Sequence, residues 1–182
     1  EEVEQKINPE NIRGIFLGFN DGLTEMLGAV SGFFAAFQST SLILVAGFTV
    51  TIAGAFSMAA SAYVGVSSAN EIAGVESERK KFLKQSQDTS LVTHPFRLSV
   101  IVGFSYVLGA LIPLLPVFFG AKSIILSVIF GAIFIGIVSM ILAFLSGMNV
   151  MRRVVMNVYI IAIAVLVTYG VGMAVKAIFG IS

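Results

Sequence analysis

Five long apolar blocks separated by short polar ones dominate the chain. They cover residues 12–37, 42–67, 96–119, 123–145 and 154–179. A helix needs about 20 predominantly apolar residues to cross a bilayer, and each block meets that length. The pattern therefore predicts an all-α, polytopic membrane protein with five transmembrane helices and a single domain over 1–182. Gln38-Ser39-Thr40-Ser41 is short enough to make the first two helices a tight hairpin. Lys122 marks another short turn, and 146–153, with Arg152 and Arg153, forms the last connection.

Two polar stretches are longer. Residues 1–11 are charged and show no cleavable-signal pattern, and Pro9 suits the first turn of a helix lying at the membrane surface. The segment 69–95 contains Glu71, Glu76, Glu78, Arg79, Lys80 and Lys81, which fit a helical continuation of the second span beyond the bilayer. A solvated face with internal ion pairs explains these residues. A cytosolic metal-collecting role for Glu71, Glu76 and Glu78 is the sharper alternative. His94-Pro95 opens the third span, with His94 read as a membrane-interface residue rather than a ligand. Pro113 and Pro116 should free backbone carbonyls and bend that span near its far end.

Composition narrows the chemistry. Hydrophobic residues make up 57% of the chain and charged residues 12%, half the charge of an ordinary soluble domain. The absence of Cys removes disulfides, iron–sulfur clusters and thiolate metal sites, and one His cannot build a multi-histidine centre. A metal would be held by oxygen, with Met sulfur as the soft option. No resident cofactor and no nucleic-acid partner are expected. Of the eleven Lys and Arg residues, only Lys122 and Lys176 fall on the side opposite the N-terminus. The positive-inside rule then places the N-terminus in the cytoplasm and the C-terminus outside or in an organelle lumen.

Against this background the first span stands out. Asp21 and Glu25 lie near its middle, where each carboxylate costs roughly 2.5–3.5 kcal/mol on insertion scales. Four residues apart, they share one helix face. No Lys or Arg lies deep in any apolar run, so protons, polar donors or a bound cation must compensate them. Gly14, Gly18, Gly22, Gly28, Ala29 and Gly32 run along the same helix as a stripe of small residues that allows close helix approach. In the second span Gly47, Thr51, Gly54, Met58, Ser61, Gly65 and Ser68 form another such face. Met58 sits near its centre, either as a flexible gap filler or facing a metal.

Four short segments in order then resemble the vacuolar iron transporter family over essentially the whole chain. They are Asp21-Gly22-Leu23-Thr24, Ser57-Met58-Ala59-Ala60-Ser61-Ala62-Tyr63, Gly109-Ala110-Leu111-Ile112-Pro113-Leu114-Leu115-Pro116 and Thr168-Tyr169-Gly170-Val171-Gly172. The resemblance implies a five-helix protomer, a homodimer with its pathway near the two-fold axis, and export of Fe²⁺ or a similar ion from the cytosol in exchange for protons. It matches Asp21 to the family's first-helix aspartate and Met58 to its second-helix methionine, both proposed to line the ion path. The better-known members carry a larger glutamate-rich insert between the second and third spans. Here that segment is short, as expected of a prokaryotic type, which implies the cell membrane; otherwise a vacuole-type membrane is implied. Glu25 is an acid where the better-known plant members have an apolar residue.

The reaction expected from these residues is divalent-cation/proton exchange, with Fe²⁺ or Mn²⁺ as cargo. Asp21, Glu25 and Met58 are the candidate metal ligands, and Asn20, Thr24, Ser57 and Ser61 could add neutral oxygens along the pathway. A proton-coupled carrier of a small organic solute would use the same carboxylates. It should also want an opposite charge or aromatic stacking, and the chain has no Trp and no buried Arg. A non-transporting scaffold held by the glycine stripes is the third reading. An intramembrane aspartyl protease needs acids on two helices, and hydrolytic or nucleophilic catalysis has no residues to work with. No enzyme is expected.

Overall fold

The computed structural model describes residues 9–83, 94–146 and 150–180. All secondary structure among them is helical: α1 (Pro9–Ala36), α2 (Thr40–Phe82), α3 (Pro95–Phe118), α4 (Ile124–Ser146) and α5 (Val150–Phe179). The five helices fall on the five apolar blocks. Pro9 opens α1 itself rather than a separate surface helix. The continuation expected after residue 67 is present, because α2 is one unbroken helix of 43 residues. Residues 1–8, 84–93 and 147–149 of the expected polar segments lie outside the described residues.

Chain ends and turns follow local chemistry. His94 is exposed and caps α3 from extended backbone, with Pro95 in the first turn where its missing N–H costs nothing. At the other end α3 runs through Pro113 and Pro116 and stops at Gly120, whose φ of +88° suits a residue without a side chain. There the Ala121 N–H donates to the Pro116 carbonyl at 2.8 Å and the Gly120 N–H to the Val117 carbonyl at 3.0 Å. These two bonds satisfy carbonyls that would otherwise face lipid or the short α3–α4 turn.

Among the described residues four helices, α2 to α5, are long and apolar enough to cross a membrane. α1 has the length, but Asn20, Asp21, Thr24 and Glu25 dilute its hydropathy. Its position offsets that deficit, because α1 touches all four other helices and packs most extensively on α3 and α5. Leu23, Met26, Leu27 and Val30 are fully buried on it. Met26 and Val30 join Ile43 of α2 and Tyr106, Ala110, Leu114 and Val117 of α3 in one cluster. Leu23 and Leu27 join Ile112, Ile135 and Ile161 in a second, which ties in α4 and α5.

The glycine stripe of α1 is used inside the protomer. A Cβ on Gly18 would strike the Val102 carbonyl of α3, and one on Gly22 the Tyr106 carbonyl. Gly109 of α3 presses on the Phe19 carbonyl in return. About three turns beyond Gly22, Gly32 lies against Thr168 and Gly172 of α5. Backbones in such contact gain dispersion energy along their length, which replaces the hydrophobic effect missing between helices in lipid. The stripe of α2 behaves differently along its length. Gly47 and Gly54 receive Leu114 and Tyr106 of α3, whereas Gly65 and Gly74 have no atom within 4 Å of where a Cβ would stand.

Candidate metal pathway

Several hydroxyls in the bundle are satisfied within their own helix. Thr51 donates to the Gly47 carbonyl at 2.8 Å and Thr168 to the Ala164 carbonyl at 2.7 Å, the usual way short polar side chains pass through a helix in lipid. One interhelical pair, Asn157 Nδ2 to Ser139 Oγ at 2.7 Å, links α5 to α4. Among the described residues, four buried oxygens are left without a hydrogen-bond partner: Asn20 Oδ1, Ser31 Oγ, Tyr106 Oη and Ser127 Oγ.

Asp21 and Glu25 stand one turn apart on α1, beside the glycines that bring α1 onto α3. Asp21 is half-buried, while Glu25 is exposed on the surface of the protomer. The two carboxylates lie within Coulombic reach of each other, and both act on the hydroxyl of Tyr106 from α3. Met58 is half-buried on α2 and packs against the cluster that contains Tyr106. Thr24 is half-buried on α1, Asn20 turns a buried oxygen inward, and Ser57 and Ser61 are exposed on α2.

The sequence-derived set is thus only partly gathered. Asp21 and Glu25 are together and Met58 reaches the same core, but the serines of α2 lie on its open face. Glu71, Glu76 and Glu78 are exposed on the extension of α2. Among the described residues no three His, Cys, Asp or Glu side chains are close enough to hold a metal ion between them. A cation here would draw on carboxylates supplemented by neutral oxygen, thioether or a second copy of the chain.

A cavity of about 800 Å³ opens between the first turns of α1, the second half of α2 and the start of α3. Glu10, Arg13, Leu17, Ala62, Asn70 and Leu98 are among its lining residues. Leu17 stands one turn before Asp21, so the cavity reaches toward the acids from the end that carries the N-terminus.

Tyr106 is absent from the sequence-derived set. Among the described residues it is the largest fully buried side chain, yet it lies in an apolar run with no charged residue. A phenol far from both ends of a span was the available signal, since tyrosines of membrane helices favour the interfaces.

A sequence model described as the VIT family matches residues 12–89 and 80–173. The chain is 30% identical over 116 residues to "VIT-like transporter 1b" of Glycine max, covering 60% of this chain and 51% of that protein. It is 29% identical over 108 residues to "Vacuolar iron transporter homolog 4" of Arabidopsis thaliana, covering 59% and 54%. A shorter stretch of 59 residues is 41% identical to "Vacuolar iron transporter" of Centaurea cyanus, covering 32% and 24%. The chain spans about half the length of the first two relatives. With the family model matching both halves of an all-helical membrane bundle, this chain belongs to the VIT family.

Proposed function

We propose that this protein is a divalent metal ion transporter that carries Fe²⁺ or Mn²⁺ out of the cytosol in exchange for protons. The observation that carries the reading is the pair Asp21 and Glu25, one turn apart on the central helix of a membrane bundle, with Asp21 one turn beyond Leu17 of the cavity wall. Such carboxylates are costly in a bilayer unless neutralised. Either a proton or a cation serves, so the same oxygens alternate between the two loads. That alternation is the coupling an exchanger requires.

Met58 supplies a soft sulfur that favours Fe²⁺ or Mn²⁺ over Mg²⁺ or Ca²⁺, while Asn20, Thr24, Ser57 and Ser61 provide neutral oxygen. The exposed Glu25 fits a homodimer in which a two-fold axis brings four carboxylates together along the pathway. Glu71, Glu76 and Glu78, spread along α2, would collect cations by their field rather than by chelation. The N-terminus and the extension of α2 face the cytosol, and the C-terminus faces outward. The metal is cargo, and the protein is a carrier rather than an enzyme.

The test is metal flux with internal pH in proteoliposomes, comparing the native protein with Asp21→Asn and Glu25→Gln. Metal movement coupled to opposite proton movement, lost in both variants, is expected. Unchanged exchange in folded Asp21→Asn would refute the role of that carboxylate.

A further inference from the structure

Tyr106 Oη is a polar atom in a costly position. The residue is fully buried between α1, α2 and α3, and its hydroxyl has no well-formed hydrogen bond. An unmet hydroxyl in an apolar interior is unfavourable. Ser and Thr avoid this by bonding back to their own helix, as Thr51 and Thr168 do. A tyrosine hydroxyl stands too far from its backbone to do the same. The side chain within hydrogen-bonding reach is Glu25, with Asp21 next. Gly54 of α2 holds the ring in place: a Cβ there would collide with the Tyr106 hydroxyl and come within 2.8 Å of Cε1. Glu25 is exposed on the protomer surface, which leaves its carboxylate room to turn toward the phenol.

We propose that Tyr106 is the positioning residue of the cargo site, donating its hydroxyl to the Glu25 carboxylate and seated for that purpose in the notch at Gly54. This rests on reading Asp21 and Glu25 as the cargo-binding pair. One Glu25 oxygen is then committed to the phenol, and the other is presented to the metal in a fixed direction.

The experiment pairs transport with spectroscopy on the full chain in liposomes. Tyr106→Phe should raise the KM for Mn²⁺ roughly three- to tenfold with kcat kept within about twofold. Gly54→Ala, which displaces the hydroxyl, should do the same, and the double variant should be no worse than the stronger single one. Gly47→Ala is the packing control, because it presses on Leu114 at the same helix interface; it should lower stability without moving KM. Independently of transport, the infrared band of the Glu25 carboxyl, identified by its loss in Glu25→Gln, should shift in Tyr106→Phe.

An unmoved band, or a native KM in Tyr106→Phe where native transport depends on Glu25, overturns the proposal. A KM raised equally by Gly47→Ala also overturns it, since packing alone would then suffice. A shifted band in a protein that carries no metal keeps the hydrogen bond and overturns its role in cargo binding, together with the transport reading.

Discussion

Replacing Gly22 by Ala puts one methyl carbon where α1 and α3 already touch backbone to backbone. The new Cβ would collide with the Tyr106 carbonyl oxygen, lie 2.9 Å from the Tyr106 carbonyl carbon and 3.1 Å from the Ala110 nitrogen. All three are helix backbone, so no side chain can turn aside. α3 must retreat by roughly 1 Å to restore ordinary van der Waals separation. Overpacking of this kind costs about 1–3 kcal/mol, against which Ala offers up to about 1 kcal/mol of helix propensity. Gly65→Ala supplies the reference, because nothing lies within 4 Å of its Cβ position and only the propensity gain remains. The two variants should therefore differ by roughly 1–3 kcal/mol. Equilibrium unfolding in mixed detergent micelles, followed by far-ultraviolet circular dichroism because the chain has no Trp, measures the difference. Gly28→Ala falls between them, its nearest neighbour being Thr168 Cγ2 at 3.4 Å. Equal stability of Gly22→Ala and Gly65→Ala would refute the claim that close backbone contact holds α1 to α3.

Three further outcomes follow from the geometry. Asn157→Ala should destabilise the bundle by about 0.6 kcal/mol, and at most about 2; in a Ser139→Ala background the loss should vanish, as a double-mutant cycle would read directly. Changing Glu71, Glu76 and Glu78 together to Gln should weaken metal uptake by no more than a few-fold at low ionic strength. That deficit should disappear at about 0.5 M salt, where the screening length falls to a few ångströms; a salt-independent loss would indicate a chelating site instead. In sealed vesicles of one orientation, a membrane-impermeant amine reagent should modify Lys81 and Lys122 from opposite faces, and labelling from the same face would overturn the assigned orientation.

The bundle was legible in the sequence because lipid imposes a simple rule: a span must be apolar for its whole length or be shielded by other spans. Hydropathy therefore located α2 to α5 directly and found α1 through its length and small residues despite its acids. The continuous extension of α2 was readable from charges that suit a solvated helix. Asp21 and Glu25 were conspicuous as carboxylates far from water. Partner assignments were not legible. A glycine stripe announces close approach but not to which helix, and α1 spends its stripe on α3 and then α5. Tyr106 is not legible for a related reason. Its importance comes from Glu25 and Gly54, residues distant in sequence that are brought together only when three helices pack.

The length of α2 has a mechanical consequence. Its 43 residues make a rod of about 64 Å, roughly twice the thickness of the hydrocarbon core. Beyond Gly54, where Tyr106 bears on it, about 42 Å of helix runs on to Phe82. A tilt of about 10° around that bearing swings the far end by about 7 Å, on simple lever arithmetic from the helix rise. On the other side of the bearing, the arm of about 10 Å back to Gly47, where Leu114 packs, moves by only about 2 Å in the same tilt, so a push at Phe82 would arrive there as a smaller displacement with a multiplied force. The rod would thus be geared: coarse motion at its far end becomes fine adjustment where α2 meets α3.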